Sequence, residues 1–117
     1  MSLHATCRTW RNGWTGNIMT AKLDGEIDHH TAKQVREQID AAIDADAPAV
    51  LILDFRDITF MDSSGIGLIM GRYRAMKLVG GEVRIINPSP NIKRVLKLAG
   101  MDRLVRIETR NIKEEVM

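Results

Sequence analysis

An almost unbroken apolar run, from Ala49 to Phe55, constrains the fold of this chain more than any other feature. Such a run is typical of a β-strand that is covered on both faces, as in the parallel sheets of α/β proteins. It is followed by Phe60-Met61-Asp62-Ser63-Ser64-Gly65-Ile66-Gly67, where a short turn leads into a helix that begins near Ser63. A buried strand that passes through a turn into a helix indicates an α/β domain.

The segments before this run predict a hairpin and a helix. Leu3–Trp10 and Trp14–Leu23 alternate in polarity and flank Arg11-Asn12-Gly13, and Asn-Gly between two such runs is a strong hairpin signal. Apolar residues then recur at three- and four-residue spacing, which predicts a helix capped by Asp28 and ended by Asp46-Ala47-Pro48.

The segments after it continue the alternation of helix and strand. The second helix ends at Gly80-Gly81, and the remaining predicted elements are a strand at Glu82–Asn87, a helix at Asn91–Ala99, a strand at Leu104–Ile107 and a charged tail from Asn111. Strands that alternate with helices favour a mostly parallel sheet, to which the hairpin adds an antiparallel edge. With 117 residues and no linker, the chain is predicted to be one domain over residues 1–117, with residues 1–22 as its hairpin region.

Composition excludes several classes of function. The net charge of +2 comes from interspersed acids and bases, so no clustered basic face for nucleic acid is predicted. The apolar runs are much shorter than the roughly 20 residues that span a bilayer, and no membrane association is expected. The single cysteine, Cys7, is predicted to be a buried apolar residue of a protein in a reducing compartment. We therefore expect a cytoplasmic protein.

The sequence predicts no catalytic, metal or cofactor site. The nucleotide-binding loop Gly-x-x-x-x-Gly-Lys and the Gly-x-Ser-x-Gly elbow of hydrolases are both missing. The histidines are His4, His29 and His30, and none is placed to act as a base for a serine nucleophile. His29 and His30 are adjacent on a helix and point about 100° apart, so they are not expected to chelate one ion.

Ser63 and Ser64 have two interpretations. Serine at a helix start is commonly a cap that satisfies a free backbone N–H, and local sequence favours this role. The pair also follows the carboxyl end of a central strand, where open α/β sheets place functional groups. The second helix is predicted to bury Ile66, Ile69, Met70 and Tyr73 and to present Ser63, Gly67, Gly71 and Arg74 at the margin of that face.

Two segments carry a resemblance to a known family. Asp24-Gly25-Glu26-Ile27-Asp28-His29-His30-Thr31-Ala32 and the Asp62-Ser63-Ser64-Gly65 block, followed by Gly71-Arg72-Tyr73, closely resemble anti-sigma factor antagonists of the STAS family. The likeness is strongest to those of the sporulation sigma-F system. It extends from about Leu23 to Ile107, while the first 22 residues match poorly.

The resemblance implies a fold, a function and a set of site residues. The fold is a mixed sheet of four or five strands with helices mainly on one side. The unphosphorylated antagonist binds an anti-sigma factor that is also a serine protein kinase, which frees the sigma factor; phosphorylation of the first serine, here Ser63, ends binding, and a serine phosphatase resets it. The implied docking surface, supported in part by the helix stripe, contains Asp28, His29, His30, Asp62, Ser64, Gly65, Gly67, Gly71 and Arg74.

Two other functions stay open at this point. The chain could be a STAS docking subunit of a lipid-transport or scaffold complex that is never phosphorylated, in which the serine block is only a cap and a contact surface. It could instead be a small nucleotide-binding protein that uses the Asp28 and Asp62 loops, although the sequence contains no phosphate-binding loop.

Overall fold

The computed structural model describes residues 2–12 and 16–110. In chain order its helices and strands are β1 (Leu3–Asn12), β2 (Gly16–Ile27), α1 (His29–Asp46), β3 (Val50–Met61), α2 (Ser63–Leu78), β4 (Glu82–Ile86), α3 (Pro90–Leu98) and β5 (Arg106–Glu108), with a 3₁₀ turn at Met101–Arg103 before β5. The predicted charged tail after Arg110 lies outside the described residues.

The sheet has five strands in the order β1-β2-β3-β4-β5. β1 and β2 pair antiparallel, and the other neighbours pair parallel. Right-handed crossovers between strands added in one direction place every connecting helix on the same face of the sheet. One core forms there, between helix residues such as Ile39, Ile69 and Leu96 and the sheet residues Leu53 and Ile85. The predicted mixed sheet with helices mainly on one side is confirmed.

The N-terminal hairpin is confirmed in its strands. β1 and β2 pair from Leu3↔Gly25 to Asn12↔Gly16. Gly13, at which the hairpin turn was predicted, and Trp14 lie outside the described residues. Met19, Ala21 and Leu23 are fully buried against the helices, as alternation along β2 predicts.

The central strand is longer than predicted. β3 continues beyond Phe55 to Met61, because Gly25 to Ile27 of β2 stay paired with it as far as Ile27↔Met61. The charges of Arg56 and Asp57 interrupt the apolar run and hide this extension in the sequence. Val50 to Phe55 are all buried, so both faces of this part of the strand are covered as predicted, although the described helices pack on one face only.

The α2 core stripe is displaced by one residue from the predicted one. Ile69 is fully buried as predicted, but Ile66, Met70 and Tyr73 are only partly buried at the edge of the core. The buried residues are Gly65, Leu68, Ile69, Arg72 and Met76. The rotation is possible because Arg72, which the pattern treats as polar, forms an ion pair with Asp40 of α1 at 2.9 Å between Nε and Oδ1.

The C-terminal elements differ from prediction at their ends. In α3, Leu96 is buried, whereas Val95 and Leu98 are 41% and 82% exposed. β4 ends one residue early, because Asn87 adopts a left-handed conformation with φ 55°. β5 begins at Arg106 instead of Leu104, which follows the 3₁₀ turn. These changes leave the strand order intact.

Candidate functional site

The site lies at the carboxyl edge of the two central parallel strands. β2 and β3 end side by side, with Ile27 opposite Met61, and the Asp62 N–H donates to the Ile27 carbonyl at 3.1 Å. α1 and α2 therefore begin next to each other, directly after Asp28 and Asp62. The structure thus brings together the two segments that sequence analysis selected, at the edge where α/β sheets place functional groups.

The start of α1 is closed by a capping box. The Asp28 carboxylate accepts the backbone N–H groups of His30 and Thr31, each at 2.9 Å. The Thr31 hydroxyl accepts the Asp28 N–H at 2.9 Å and donates to the Glu26 carbonyl at 2.8 Å. The hydrogen bond from the Thr31 backbone is the main cause that lowers the pKa of Asp28. Asp28 is the predicted cap, whereas Thr31 was missed, although Asp-x-x-Thr matches a capping-box spacing.

The start of α2 is capped by Asp62, not by a serine. The Asp62 carboxylate accepts the Ser64 N–H at 2.7 Å, and Ser63 is the first helical residue. The interpretation of Ser63 as the cap is therefore wrong. Ser63 is exposed, and its hydroxyl makes no hydrogen bond to the residues that the structure describes. The fold leaves this hydroxyl free at a helix N-terminus.

The glycines of α2 divide into one that packs and two that lie open. A Cβ on Gly65 would overlap the Met61 side chain, so this buried glycine shapes the turn and does not form part of the surface. A Cβ on Gly67 or Gly71 would meet no atom of the described residues within 4 Å, apart from the backbone of α2 itself. Together with the exposed Arg74, the two open glycines form a low surface that continues from Ser63 along α2.

Sequence and structural comparisons identify the family. The STAS domain family model matches residues 14–116. This chain belongs to the STAS domain family. An anti-sigma F factor antagonist of Paenibacillus polymyxa is 37% identical to this STAS domain over 90 residues, which are 77% of each chain.

Two solved structures resemble this STAS domain over nearly its whole length. The anti-sigma factor antagonist SpoIIAA in its unphosphorylated form is 31% identical, with a TM-score of 0.77 over 97% of this chain and 93% of that one. The Bacillus cell fate determinant SpoIIAA in the phosphorylated form is also 31% identical, with a TM-score of 0.68 over 95% and 96% of the two chains. The fold predicted from the family resemblance is confirmed.

His29 and His30 of this STAS domain are both exposed in the first turn of α1. Their ring centroids lie 4.1 Å apart with planes tilted by 35°, so the adjacent rings stack more closely than helical geometry alone suggests. Over residues 2–12 and 16–110, no group of three or more His, Cys, Asp or Glu residues could hold a metal ion. The two rings lie beside the Asp28 cap as surface groups.

Two further predictions concerned Cys7 and the possibility of a membrane span. Cys7 is half-buried, and burial is the main cause that raises the pKa of its thiol, with a smaller effect from the charge of Asp46. Within the described ranges, no helix is long and apolar enough to cross a membrane.

Phe60 is a surface residue of the site that sequence analysis missed. It belongs to the extension of β3, pairs with Glu26 and is 45% exposed, two residues before Asp62. The sequence places it in a turn, so nothing marked it as a strand residue that faces solvent. An exposed aromatic ring next to Asp62 is a suitable anchor for a protein partner, because aromatic residues are enriched in interfaces.

Proposed function

We propose that this STAS domain is an anti-sigma factor antagonist whose unphosphorylated form binds an anti-sigma factor and releases a sigma factor. The observation that carries the proposal is the Ser63 hydroxyl, which is exposed and unpaired among the described residues while Asp62 caps the helix. The likeness to an anti-sigma F factor antagonist and to a relative solved in both unphosphorylated and phosphorylated forms supports the same function.

Ser63 is proposed as the phosphate acceptor. A kinase needs a hydroxyl that it can approach without breaking a fold contact, and Ser63 meets this condition. The phosphate would stand at the N-terminus of α2, where the helix dipole stabilises negative charge. The domain is therefore expected to stay folded after phosphorylation. The kinase is the anti-sigma factor itself, and a serine phosphatase reverses the reaction.

Phosphorylation is expected to end binding by a local electrostatic effect. It adds about −1.5 to −2 charges beside Asp62, and a partner surface without a matched arginine would have to desolvate them. A penalty of about 3 kcal/mol weakens binding more than 100-fold, which is enough to exchange partners. Arg74 lies eleven positions further along α2, about 16 Å at 1.5 Å per residue, too far to neutralise the phosphate.

The proposed docking surface combines the two helix starts and the open side of α2. It contains Asp28, His29, His30, Asp62, Ser64, Gly67, Gly71 and Arg74, with Phe60 as an added candidate. Glycines that present no side chain let a partner approach the α2 backbone closely. Gly65 contributes by packing under Met61 and not by contact. A location in the cytoplasm, where sigma factors act, is part of the proposal.

Binding to the purified anti-sigma factor of the source cells tests this function. Calorimetry should give equal affinities for the wild type and Ser63→Ala without ATP, and binding at least about 100-fold weaker for Ser63→Asp. Arg94→Asp, which places the same side chain at an exposed position of α3, is the matched control and should bind like wild type. Tight binding by Ser63→Asp would show that charge at this position is not the switch.

The two other functions have less support. A docking subunit that is never phosphorylated is not favoured, because a relative of this fold has been solved in a phosphorylated form. A nucleotide-binding function is disfavoured at the carboxyl edge of the sheet. A phosphate there would need the backbone N–H groups of the two helix starts, and the Asp28 and Asp62 carboxylates already accept several of them.

A further inference from the structure

The face of the sheet opposite the helices has a surface of its own. Its described side chains come from alternate strand residues, and the strand register sets them in rows. One row runs from Arg8 through Thr20 and Ile52 to Arg84, each paired with the next across the strands. At about 4.8 Å per strand, Arg8 and Arg84 are about 14 Å apart at their Cα atoms. Two arginines thus face each other across a short, mostly apolar floor.

The floor is apolar although none of the described helices covers it. Ile52 and Ile86 are 4% and 3% exposed, and with Val50 they form a second buried cluster, against which Ile18 packs. Trp10, paired with Ile18 and 54% exposed, stands at one end. Four of these residues line a groove of about 750 Å³, namely Trp10, Ile18, Ile52 and Ile86. This volume is within the size range of small-molecule sites.

The walls of the groove are strongly cationic. Five basic residues line it, and Asp54 is its one acidic lining residue among the part of the chain described; the bases are Arg8, Lys22, Arg56, Arg84 and Arg110. The Asp54 carboxylate is buried and accepts the Arg56 backbone N–H at 3.0 Å.

Several of these cations have acidic neighbours outside the groove. Lys22 pairs with Asp57 at 3.3 Å, Arg84 with Glu82 at 2.6 Å and Arg110 with Glu108 at 3.5 Å. Arg8 has no ion pair with any described residue. Exposed pairs contribute at most about 1 kcal/mol each, so an anion in the groove can draw these side chains inward at small cost.

We propose that this groove binds a small amphiphilic anion, with a carboxylate, sulfate or phosphate head on an apolar body. The head lies between Arg8 and Arg84, and the body lies over Ile18 in the neighbouring row and contacts Trp10. Exposed apolar surface and cationic walls in one cavity match both parts of such a ligand, since a neutral apolar ligand would leave the arginines unused and a purely polar anion would leave Trp10 and the partly buried Ile18 uncovered. The site is separate from the Ser63 edge and independent of the proposed function.

The test uses the isolated protein in a Trp14→Phe background, where Trp10 is the remaining tryptophan. The probe is 8-anilinonaphthalene-1-sulfonate, an apolar sulfonate that accepts energy from tryptophan. Quenching of Trp10 should saturate at one probe per chain, and decanoate should displace the probe at concentrations at least about tenfold lower than 1-decanol. Equal displacement by the neutral alcohol would overturn the proposal, because charge would then contribute nothing.

Paired variants assign the binding to the arginines. Arg8→Gln with Arg84→Gln should weaken probe binding about tenfold or more, whereas Arg94→Gln, which removes an exposed cation from α3, should leave it unchanged. Arg8→Lys with Arg84→Lys keeps the charge and should retain most of the affinity even if the glutamine pair is destabilised. Unchanged binding by a folded glutamine pair, or loss of binding in the lysine pair with an unchanged melting temperature, would overturn the proposal.

A vesicle arm separates a free ligand from a membrane surface. At the protein concentrations at which decanoate saturates the groove, the wild type should not float with phosphatidylglycerol vesicles. Flotation that the Arg8→Gln and Arg84→Gln pair abolishes would overturn the small-ligand proposal and assign the groove to anionic lipid surfaces.

Discussion

Two helices begin side by side at the carboxyl edge of the sheet, and an aspartate caps each, but their first turns differ in what they leave free. In α1 the Thr31 hydroxyl makes two backbone hydrogen bonds, and the residue is 7% exposed. In α2 the equivalent third position is Gly65, and the Ser63 hydroxyl has no partner in the described ranges. One hydroxyl stabilises the fold, and the other is available for modification.

If the open start of α2 is the docking surface, a large side chain introduced there should have the largest effect on binding. Gly67→Leu should weaken binding to the anti-sigma factor about 100-fold, because the new side chain projects from a position that no other described residue outside α2 approaches within 4 Å. Its melting temperature should not fall. Calorimetry and thermal unfolding measure the two effects, with Arg94→Leu on α3 as a matched control. A large drop in melting temperature would show that Gly67 packs internally.

The packed Gly65 and the open Gly67 of α2 also predict opposite effects on stability. Gly65→Ala should lower the free energy of unfolding by about 1–3 kcal/mol, because its Cβ would overlap Met61. Gly67→Ala should raise it by up to about 1 kcal/mol, because alanine favours the helix and the space is open. Urea unfolding compares the two. Equal effects would remove the distinction between the packed and the open glycine.

Much of this fold could be predicted from sequence because its signals are local. The hairpin, the alternation of strands and helices and the Asp28 cap follow from alternating polarity, periodicity and capping chemistry. The extension of β3 and the burial of Arg72 could not, because each depends on a partner distant in sequence, β2 for the strand and Asp40 for the arginine. The sequence pattern alone does not show whether a charged residue has a distant partner that allows it to be buried.

The position of the candidate site was predicted, but which of its residues pack internally and which face solvent was not. Sequence analysis placed Asp28, Asp62 and Ser63 at one functional edge, and the structure brings these segments together. It could not separate Gly65 from Gly67, since the difference depends on the direction of the Met61 side chain. Phe60 was missed because the strand that exposes it was predicted to end at Phe55.

The two hydroxyls should differ when they are removed. Thr31→Val keeps the shape of the side chain but loses both backbone hydrogen bonds, and should lower the free energy of unfolding by about 1–2 kcal/mol. Ser63→Ala should change it by less than about 0.5 kcal/mol. Denaturant unfolding of both variants provides the measurement. A similar loss in both would mean that Ser63 also serves the fold.

The smallest expected effect is a pH dependence of the α1 cap. Hydrogen bonds, the first of them from the Thr31 backbone, lower the pKa of Asp28 in the folded protein. Its stabilising contribution is therefore complete above the unfolded value of about 3.9 and is lost as pH falls through the lower, folded value. The melting temperature of wild type minus that of Asp28→Asn, a cap that does not titrate, should decrease from pH 6 to pH 2.5. A constant difference would contradict this role of the charge.

The intact mass of wild type and Ser63→Ala after incubation with an extract of the source cells and Mg-ATP tests the central claim most directly. We expect one added phosphoryl group on wild type and none on Ser63→Ala, with Ser64→Ala modified like wild type. Phosphorylation of Ser63→Ala at the wild-type level, or no addition to wild type in an extract with active serine kinases, would contradict a switch at Ser63.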